Sequence, residues 1–470
     1  MPYSIASSLT LPSVTSAHRE RLLSEKPLLS LYELFTTIPD PRSGHGRRYP
    51  LAYLLTCLIA ALLCNCNSTV AVSQWCRDQQ DQLKRFFPFH QWLCPSDSLY
   101  RKLLARLPAE QIEWALADWV RSTLCADADD PLALDGKTVR GAASATQPAP
   151  HLLSFCTHHS QEVLLQVHVS EKTNEIPVAQ ALLPCVPVAG RVCTADALHT
   201  HREFLQRVQA LGGACVLTVK KNQPTLYKDL ALYFADPHAC CVQASTRDDQ
   251  RGRCEIRHIR VSTEMNTYLA AWPEIAQVAE LTRTVTVRRT GKTTQEVVYL
   301  FTDLPPAQAS PERLLALVRG HWQIENGLHY VRDVSFGEDR SRLRSGSAPQ
   351  ILAALRNLAL TLLHRSGLFA IAVARRSFAS HPSQALALLL PKEVGQQSFT
   401  SPAPQFCCQE ERQGLLWHLN CSVSVQKFLA LAPDSLTTPC PLCPTLPMTD
   451  HMPLSTLTRF LRPGFLRFPG

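Results

Sequence analysis

Three acidic residues of this chain, Asp135, Asp196 and Glu325, occupy places where a lone carboxylate is costly. Asp135 closes the run Leu132-Ala133-Leu134, bounded by Pro131 and Gly136, and a short apolar run so bounded reads as a buried strand. Asp is also common in strand-end turns, so this stretch alone leaves its role open. Asp196 ends a second strand pattern, in which Val192, Thr194 and Asp196 alternate with Cys193 and Ala195. Neighbouring strands bring their end residues together, so the two aspartates are expected to converge. Glu325 falls in the helical pattern 311–332, three residues from both Trp322 and Leu328 on the stripe Leu314, Val318, Trp322, Leu328. That spacing predicts a shared face turned toward the protein, with Trp322 in the core.

Three carboxylates gathered without a basic partner repel one another, and a hard divalent cation removes the repulsion. Mg²⁺ prefers carboxylate and water ligands. Two such ions, about 3.5–4 Å apart, stabilise both the attacking and the leaving oxygen of a phosphoryl transfer. A phosphodiester is the matching substrate. Lys137, Arg140, Lys220 and Lys221 lie beside the acidic motifs, and Arg251, Arg253, Arg257 and Arg260 crowd one short stretch, as phosphate contacts would. His321, one helical turn before Glu325, would orient a phosphate or the glutamate, or lie on a helix surface. Arg319, Asn326 and Arg332 flank the same place and are expected to contact the same phosphate backbone.

Composition sets the frame for this chemistry. The 470 residues are 45% hydrophobic and 18% charged with a formal net charge of +8, which permits a polyanionic partner without requiring one. The 18 cysteines are mostly scattered and no secretory signal precedes them, so they read as reduced thiols of a cytoplasmic protein. The apolar stretch Leu51–Cys64 is 14 residues long, short of the roughly 20 a bilayer requires, and reads as a buried helix. There is no P-loop, no GxGxxG and no evident nucleophilic triad, which argues against ATP dependence. Cys440-Pro-Leu-Cys443 is half a zinc site at most, and His158, His159 and His168 are expected to alternate across a hairpin.

The elements that must carry the acids follow in order. Residues 1–29 form a loose arm, and 30–125 an all-helical domain that includes one helix over 68–87. From 130 to 390 strands alternate with helices, an α/β domain. Strands are expected at 131–135, in a hairpin around Ser160-Gln161, at 191–195 and at 214–219. A β-rich insertion fills about 237–302, and Ser310-Pro311 starts the long helix. Eleven of the 34 prolines fall in 391–470, a weakly periodic tail.

These strings resemble a known family. Leu134-Asp-Gly-Lys-Thr-Val-Arg-Gly141, Thr194-Ala-Asp-Ala-Leu-His-Thr200 and His321-Trp-Gln-Ile-Glu-Asn-Gly-Leu-His-Tyr330 with Asp333-Val-Ser-Phe-Gly-Glu-Asp339 resemble, in order, three signatures of ISAs1-type insertion-sequence transposases, which include the H-repeat-associated proteins. Ile38-Pro-Asp-Pro-Arg42 and Pro95-Ser-Asp-Ser98 resemble the helical domain associated with them. The resemblance spans residues 30–390. It implies an RNase H-like catalytic core in which Asp135, Asp196 and Glu325 form a DDE triad binding two Mg²⁺ ions, with Mn²⁺ as substitute. It implies hydrolysis at transposon ends, then attack of the freed 3′-OH on target DNA by a homodimer bound to double-stranded DNA in a bacterial cytoplasm. A DNA-binding relic without catalysis is the alternative. Lys221 stands where the family often has Gly, which tolerates positive φ far better than Lys does, so the resemblance leaves the backbone geometry of this loop open.

Overall fold

The computed structural model describes residues 30–390 except 46, 89, 92, 124–126, 128, 145–147, 171–173 and 251. The arm 1–29, the tail with its Cys440 and Cys443, and Arg251 lie outside the described residues.

Among the described residues six helices come first: α1 (Leu31–Thr37), α2 (Leu51–Leu63), α3 (Thr69–Asp78), α4 (Gln80–Phe86), α5 (Asp97–Leu104) and α6 (Ala109–Ser122). Ser30, Ser68 and Ser96 cap α1, α3 and α5, and Ser30 closes a reciprocal capping box with Glu33. Every residue of α2 is buried. Its apolar side chains run all round, so it needs neighbours on every side, and α1, α3 and the later helices Ala348–Arg365, Ile371–Ser380 and Pro382–Ala387 supply them. Among the described residues no helix is long and apolar enough to cross a membrane, and no disulfide joins the cysteines. The expected single helix over 68–87 breaks at Gln79, whose ψ of 22° leaves the helical range. Val70 stands 61% exposed, while Val72 and Trp75 take the core face of α3.

The rest is built on one nine-stranded sheet, in the order β3-β2-β1-β4-β5-β9-β8-β7-β6. Its strands are β1 (Leu132–Thr138), β2 (His151–Thr157), β3 (Val163–Val169), β4 (Val192–Ala195), β5 (Ala214–Val219), β6 (Val242–Gln250), β7 (Arg253–Ser262), β8 (Gln277–Val287) and β9 (Thr293–Thr302). β1, β4 and β5 are parallel neighbours, and the other pairings are antiparallel. Because β9 pairs with β5, the β-rich segment continues the sheet. The hairpin turns where expected, with Gln161 at φ 52°. Asp130 accepts the backbone N–H groups of His159 and Ser160, both at 3.0 Å, and so pins the hairpin to the start of β1.

Helices α7 (Glu175–Leu182), α8 (Arg202–Ala210), α9 (Pro224–Ala235), α10 (Pro311–Gln323), α11 (Tyr330–Val334), α12 (Ala348–Arg365), α13 (Ile371–Ser380) and α14 (Pro382–Ala387) complete the fold. Ser310 caps α10 and Pro311 takes its first position. The helix does not run on to Arg332. Ile324–His329 is a π turn, in which the Tyr330 N–H reaches back to the Glu325 carbonyl. The extra residue turns Ile324, Leu328 and His329 inward and leaves Glu325 on the open side. Trp322 is 48% exposed, so the expected core stripe is corrected: Trp322 and Glu325 share a face, and that face lines a cleft.

Glu113 on α6 lies buried between Gln166 of β3 and Gln350 of α12, each amide donating to it at 2.7 Å. Burial pushes its carboxyl from 4.5 up to about 8, against those two amides. An acid bound more tightly by protons when folded stabilises fully below its unfolded value, and this contribution is lost as pH rises through the folded value. Denaturant titrations should therefore show stability falling from about pH 5 to pH 8, by at most about 1.4 kcal/mol per unit from this group. Glu113→Gln should flatten that slope.

Candidate active site

The last paired positions of the parallel β1/β4 ladder are Leu134 and Ala195, so Asp135 and Asp196 stand side by side one step beyond it. Asp135 continues along β1, which extends through Gly136 to Thr138 beside β2. Asp196 leaves the sheet and caps the short turn Ala197–His199, its Oδ1 accepting the Leu198 N–H at 2.8 Å. The π turn packs across β1, and α10 packs across β1, β4 and β5. Asp135, Asp196 and Glu325 therefore line one cleft of about 860 Å³, whose far wall is the extended sheet β6–β9.

Glu325 senses the two aspartates. Burial, Asp135 and Asp196 raise the proton affinity of Glu325, while Lys220 opposes the rise. His329 Nε2 lies 3.2 Å from Asp135 Oδ2, and burial keeps its ring below the usual imidazole range despite that neighbour. Among the described residues no group of three or more His, Cys, Asp or Glu side chains is gathered into a ready-made metal cluster. The acids share the cleft without being drawn together to ligand distances.

Beneath them sits a polar knot absent from the sequence reading. The Thr194 hydroxyl donates to the Leu132 carbonyl at 3.2 Å and lies 2.8 Å from His158 Nε2 and 3.1 Å from His321 Nδ1. Burial and the neighbouring histidines push His158 down to about 3, so it is neutral. Its ring fits because residue 320 is glycine: a Cβ there would lie 2.2 Å from His158 Nδ1. Gly→Ala inside a helix ordinarily stabilises by up to about 1 kcal/mol. Gly320→Ala should instead cost about 1–3 kcal/mol, read by thermal or urea unfolding, because the buried ring has nowhere to go. The sequence signal was the pair His158-His159, but those rings do not alternate across a hairpin strand, because β2 ends at Thr157.

The basic residues divide. Arg140, Lys220, Lys221 and Arg253 are exposed, and Lys220 and Arg253 line the cleft. Arg257 and Arg319 also line it, but both are bound to Asp248, at 3.0 and 2.9 Å, and Arg257 also to Glu255. Arg260 pairs with Glu280 at 3.0 Å. Lys137 is pinned to Asp333 at 2.6 Å with a side chain 10% exposed. Asn326 is exposed and donates to the Trp322 carbonyl. His321 sits in the knot, its ring held below the usual imidazole range by burial. Arg332 is a correction: it is fully buried and clamped to Glu338, so it cannot reach a DNA backbone. Lys221 needs no left-handed backbone, since among described non-glycine residues only Asn65 and Gln161 have positive φ.

Residues 127–362 match the transposase DDE domain family, and residues 32–120 match the DDE_Tnp_1-associated domain. The chain belongs to the DDE transposase family, with H-repeat-associated proteins among its relatives. "H repeat-associated putative transposase YhhI" of Escherichia coli (strain K12) is 27% identical over 362 residues, 74% of this chain and 94% of its own. YbfD of the same strain, named in the same way, is 28% identical over 204 residues, 43% of this chain and 80% of its own. An uncharacterized protein in the dhlA 3′ region of Xanthobacter autotrophicus is 30% identical over 247 residues, 51% of this chain and 83% of its own. A piggyBac transposase synaptic complex with hairpin DNA aligns with 79% of this chain and 82% of its own, at 13% identity and a TM-score of 0.39.

Proposed function

We propose that this chain is an active transposase that cleaves DNA at the ends of an insertion sequence and joins the freed 3′-OH to target DNA, with Asp135, Asp196 and Glu325 as its catalytic acids. The observation that carries the reading is the placement of Asp135 and Asp196 side by side at the end of a parallel strand pair, facing Glu325 across one cleft. The strand order β3-β2-β1-β4-β5, with β1, β4 and β5 parallel, supports an RNase H-like core.

The donor set suits a hard divalent cation in kind: the acids supply only oxygen, and their mutual repulsion, seen at Glu325, is what a cation would relieve. Asp135, Asp196 and Glu325 would hold Mg²⁺, or Mn²⁺ in its place, which would offset phosphodiester charge and favour ionisation of the attacking water or hydroxyl. The chain's own groups do the rest. Lys220 and Arg253 offer exposed charge to phosphates at the cleft, and Arg140 and Lys221 are exposed charges outside its lining. Thr194 fixes the His321 ring one helical turn from Glu325. Half-exposed Trp322 and Asn326 face the same space. Two copies, one on each element end, would assemble the reaction as a homodimer.

A joining assay tests this. An end oligonucleotide with a free 3′-OH is mixed with target plasmid in Mg²⁺, Mn²⁺ or EDTA. Metal-dependent joined product is expected. Binding of end DNA with no joining in either metal would mark a catalytically dead relic.

A further inference from the structure

Side chains alternate along β1, so Asp135 and Lys137 point toward the π turn and α11, while Gly136 and Thr138 point to the opposite face of the sheet. On that face stands Glu175, the first residue of α7, whose N-cap Asn174 accepts the Ile176 N–H. Its carboxylate presses on the β1 backbone where Gly136 has no side chain: a Cβ there would lie 2.4 Å from Glu175 Oε1. Each carboxylate oxygen meets a different histidine. Oε1 is 2.5 Å from His151 Nε2, whose other nitrogen is 2.8 Å from the Thr138 hydroxyl. Oε2 is 3.3 Å from His199 Nε2. His151 belongs to β2, paired beside β1, and His199 belongs to the turn that Asp196 caps.

One carboxylate thus ties together the two segments that carry the aspartates. The tie is needed where it stands. The β1/β4 pairing stops at Leu134 and Ala195, and past that point Asp135 stays in the sheet while Asp196 departs into its turn. Two like charges side by side would spread the segments apart. Burial alone would weaken Glu175 as an acid, but hydrogen bonds from His151 and His199 more than reverse this and hold it down at about 2, so it stays ionised. His199 is 1% exposed, its Nδ1 buried without a partner, so its Nε2 is the nitrogen that donates.

We propose that Glu175, clamped by His151 and His199 against Gly136, is a positioning residue that sets the spacing of Asp135 and Asp196 from the back of the sheet. The proposal rests on the reading of those aspartates as catalytic. It accounts for the glycine after the first aspartate and the histidine three residues after the second.

The test compares wild type with Glu175→Ala, Glu175→Gln and Gly136→Ala, the last displacing the carboxylate without removing its charge. The first readout is amide exchange in metal-free protein at Leu198, whose N–H is bound by the Asp196 carboxylate itself. Glu175→Ala should speed exchange at 198–200 by about tenfold or more while β5 stays protected. The second readout is cleavage of end DNA across a Mg²⁺ titration. The rate constant should fall about 10- to 100-fold and the half-saturating Mg²⁺ concentration should rise, with DNA affinity within about twofold of wild type. Gly136→Ala should behave like Glu175→Ala, and Glu175→Gln should recover part of the rate, because an amide oxygen still accepts from one histidine. Unchanged exchange at Leu198, or an unchanged cleavage rate well below the melting temperature, would overturn the proposal. If wild type itself does not cleave, the transposase reading fails, and the exchange readout alone decides whether Glu175 holds the turn.

Discussion

Glu338→Gln is expected to destabilise the protein by about 3–5 kcal/mol, because it removes the buried anion that bridges two buried arginines. Glu338 is fully buried, with Arg332 Nη2 2.7 Å from one oxygen and Arg356 Nη1 3.1 Å from the other. Burial pushes the Glu338 carboxyl up, but the two guanidiniums overcome this and hold it below the usual carboxylate range. A depressed folded value means that the stabilisation is present above the unfolded pKa and lost as pH falls through the folded one. Denaturant unfolding should therefore show wild type losing stability in acid, and Glu338→Gln already weak at neutral pH. The cluster also reaches the site. Arg332 stands on α11 just past the π turn, and its Nη1 donates to Gln166 of β3 and Asn357 of α12. Loosening it should free the segment that aims Glu325. Replacing Glu338 and both arginines together by apolar residues of matching volume should cost far less, since no charge is then stranded.

The second large effect is on rate. Asp135→Asn, Asp196→Asn and Glu325→Gln should each lower strand cleavage by about a thousandfold or more, corresponding to several kcal/mol of lost transition-state stabilisation. None should cost the stability that Glu338→Gln does. Glu325 is exposed to the cleft and its proton affinity is raised by burial, Asp135 and Asp196, so its charge opposes folding when no metal is present. The sign is fixed: this group stabilises below its unfolded pKa, and the contribution is lost as pH rises through the folded one. Metal-free Glu325→Gln should thus melt at or above the wild-type temperature at neutral pH. A large fall in melting temperature would show that Glu325 is a structural ion-pair partner.

How much of this was legible in the sequence depended on the range of the forces involved. Strand ends with punctuation on both sides gave themselves away: the runs into Asp135 and Asp196 are β1 and β4, and Ser310-Pro311 starts α10. Short-range pattern failed where a distant partner decides. The stripe through Trp322 and Glu325 assumes an unbroken α-helix, and nothing local announces the π turn that swings Glu325 into the cleft. β6 reads Val-Gln-Ala-Ser-Thr-Arg-Asp-Asp-Gln, too polar to signal a strand, yet it pairs along its whole length with β7, and Asp248 ties it to Arg319 of α10. Arg332 looks like surface charge by type, and only the fold reveals Glu338 and Arg356 around it. The Glu175 tie joins three segments and carries no spacing that a single sequence displays.

The central claim is that Asp135, Asp196 and Glu325 form one metal-dependent phosphodiester-cleaving site. The most direct measurement is cleavage of a DNA fragment carrying the element's own end, with products mapped at single-nucleotide resolution in Mg²⁺ and in EDTA, for wild type, Asp135→Asn and Glu325→Gln. The account predicts a 3′-OH at the element boundary that needs the metal and is absent from both variants. Cleavage that persists in the two variants, or that proceeds in EDTA, would contradict it.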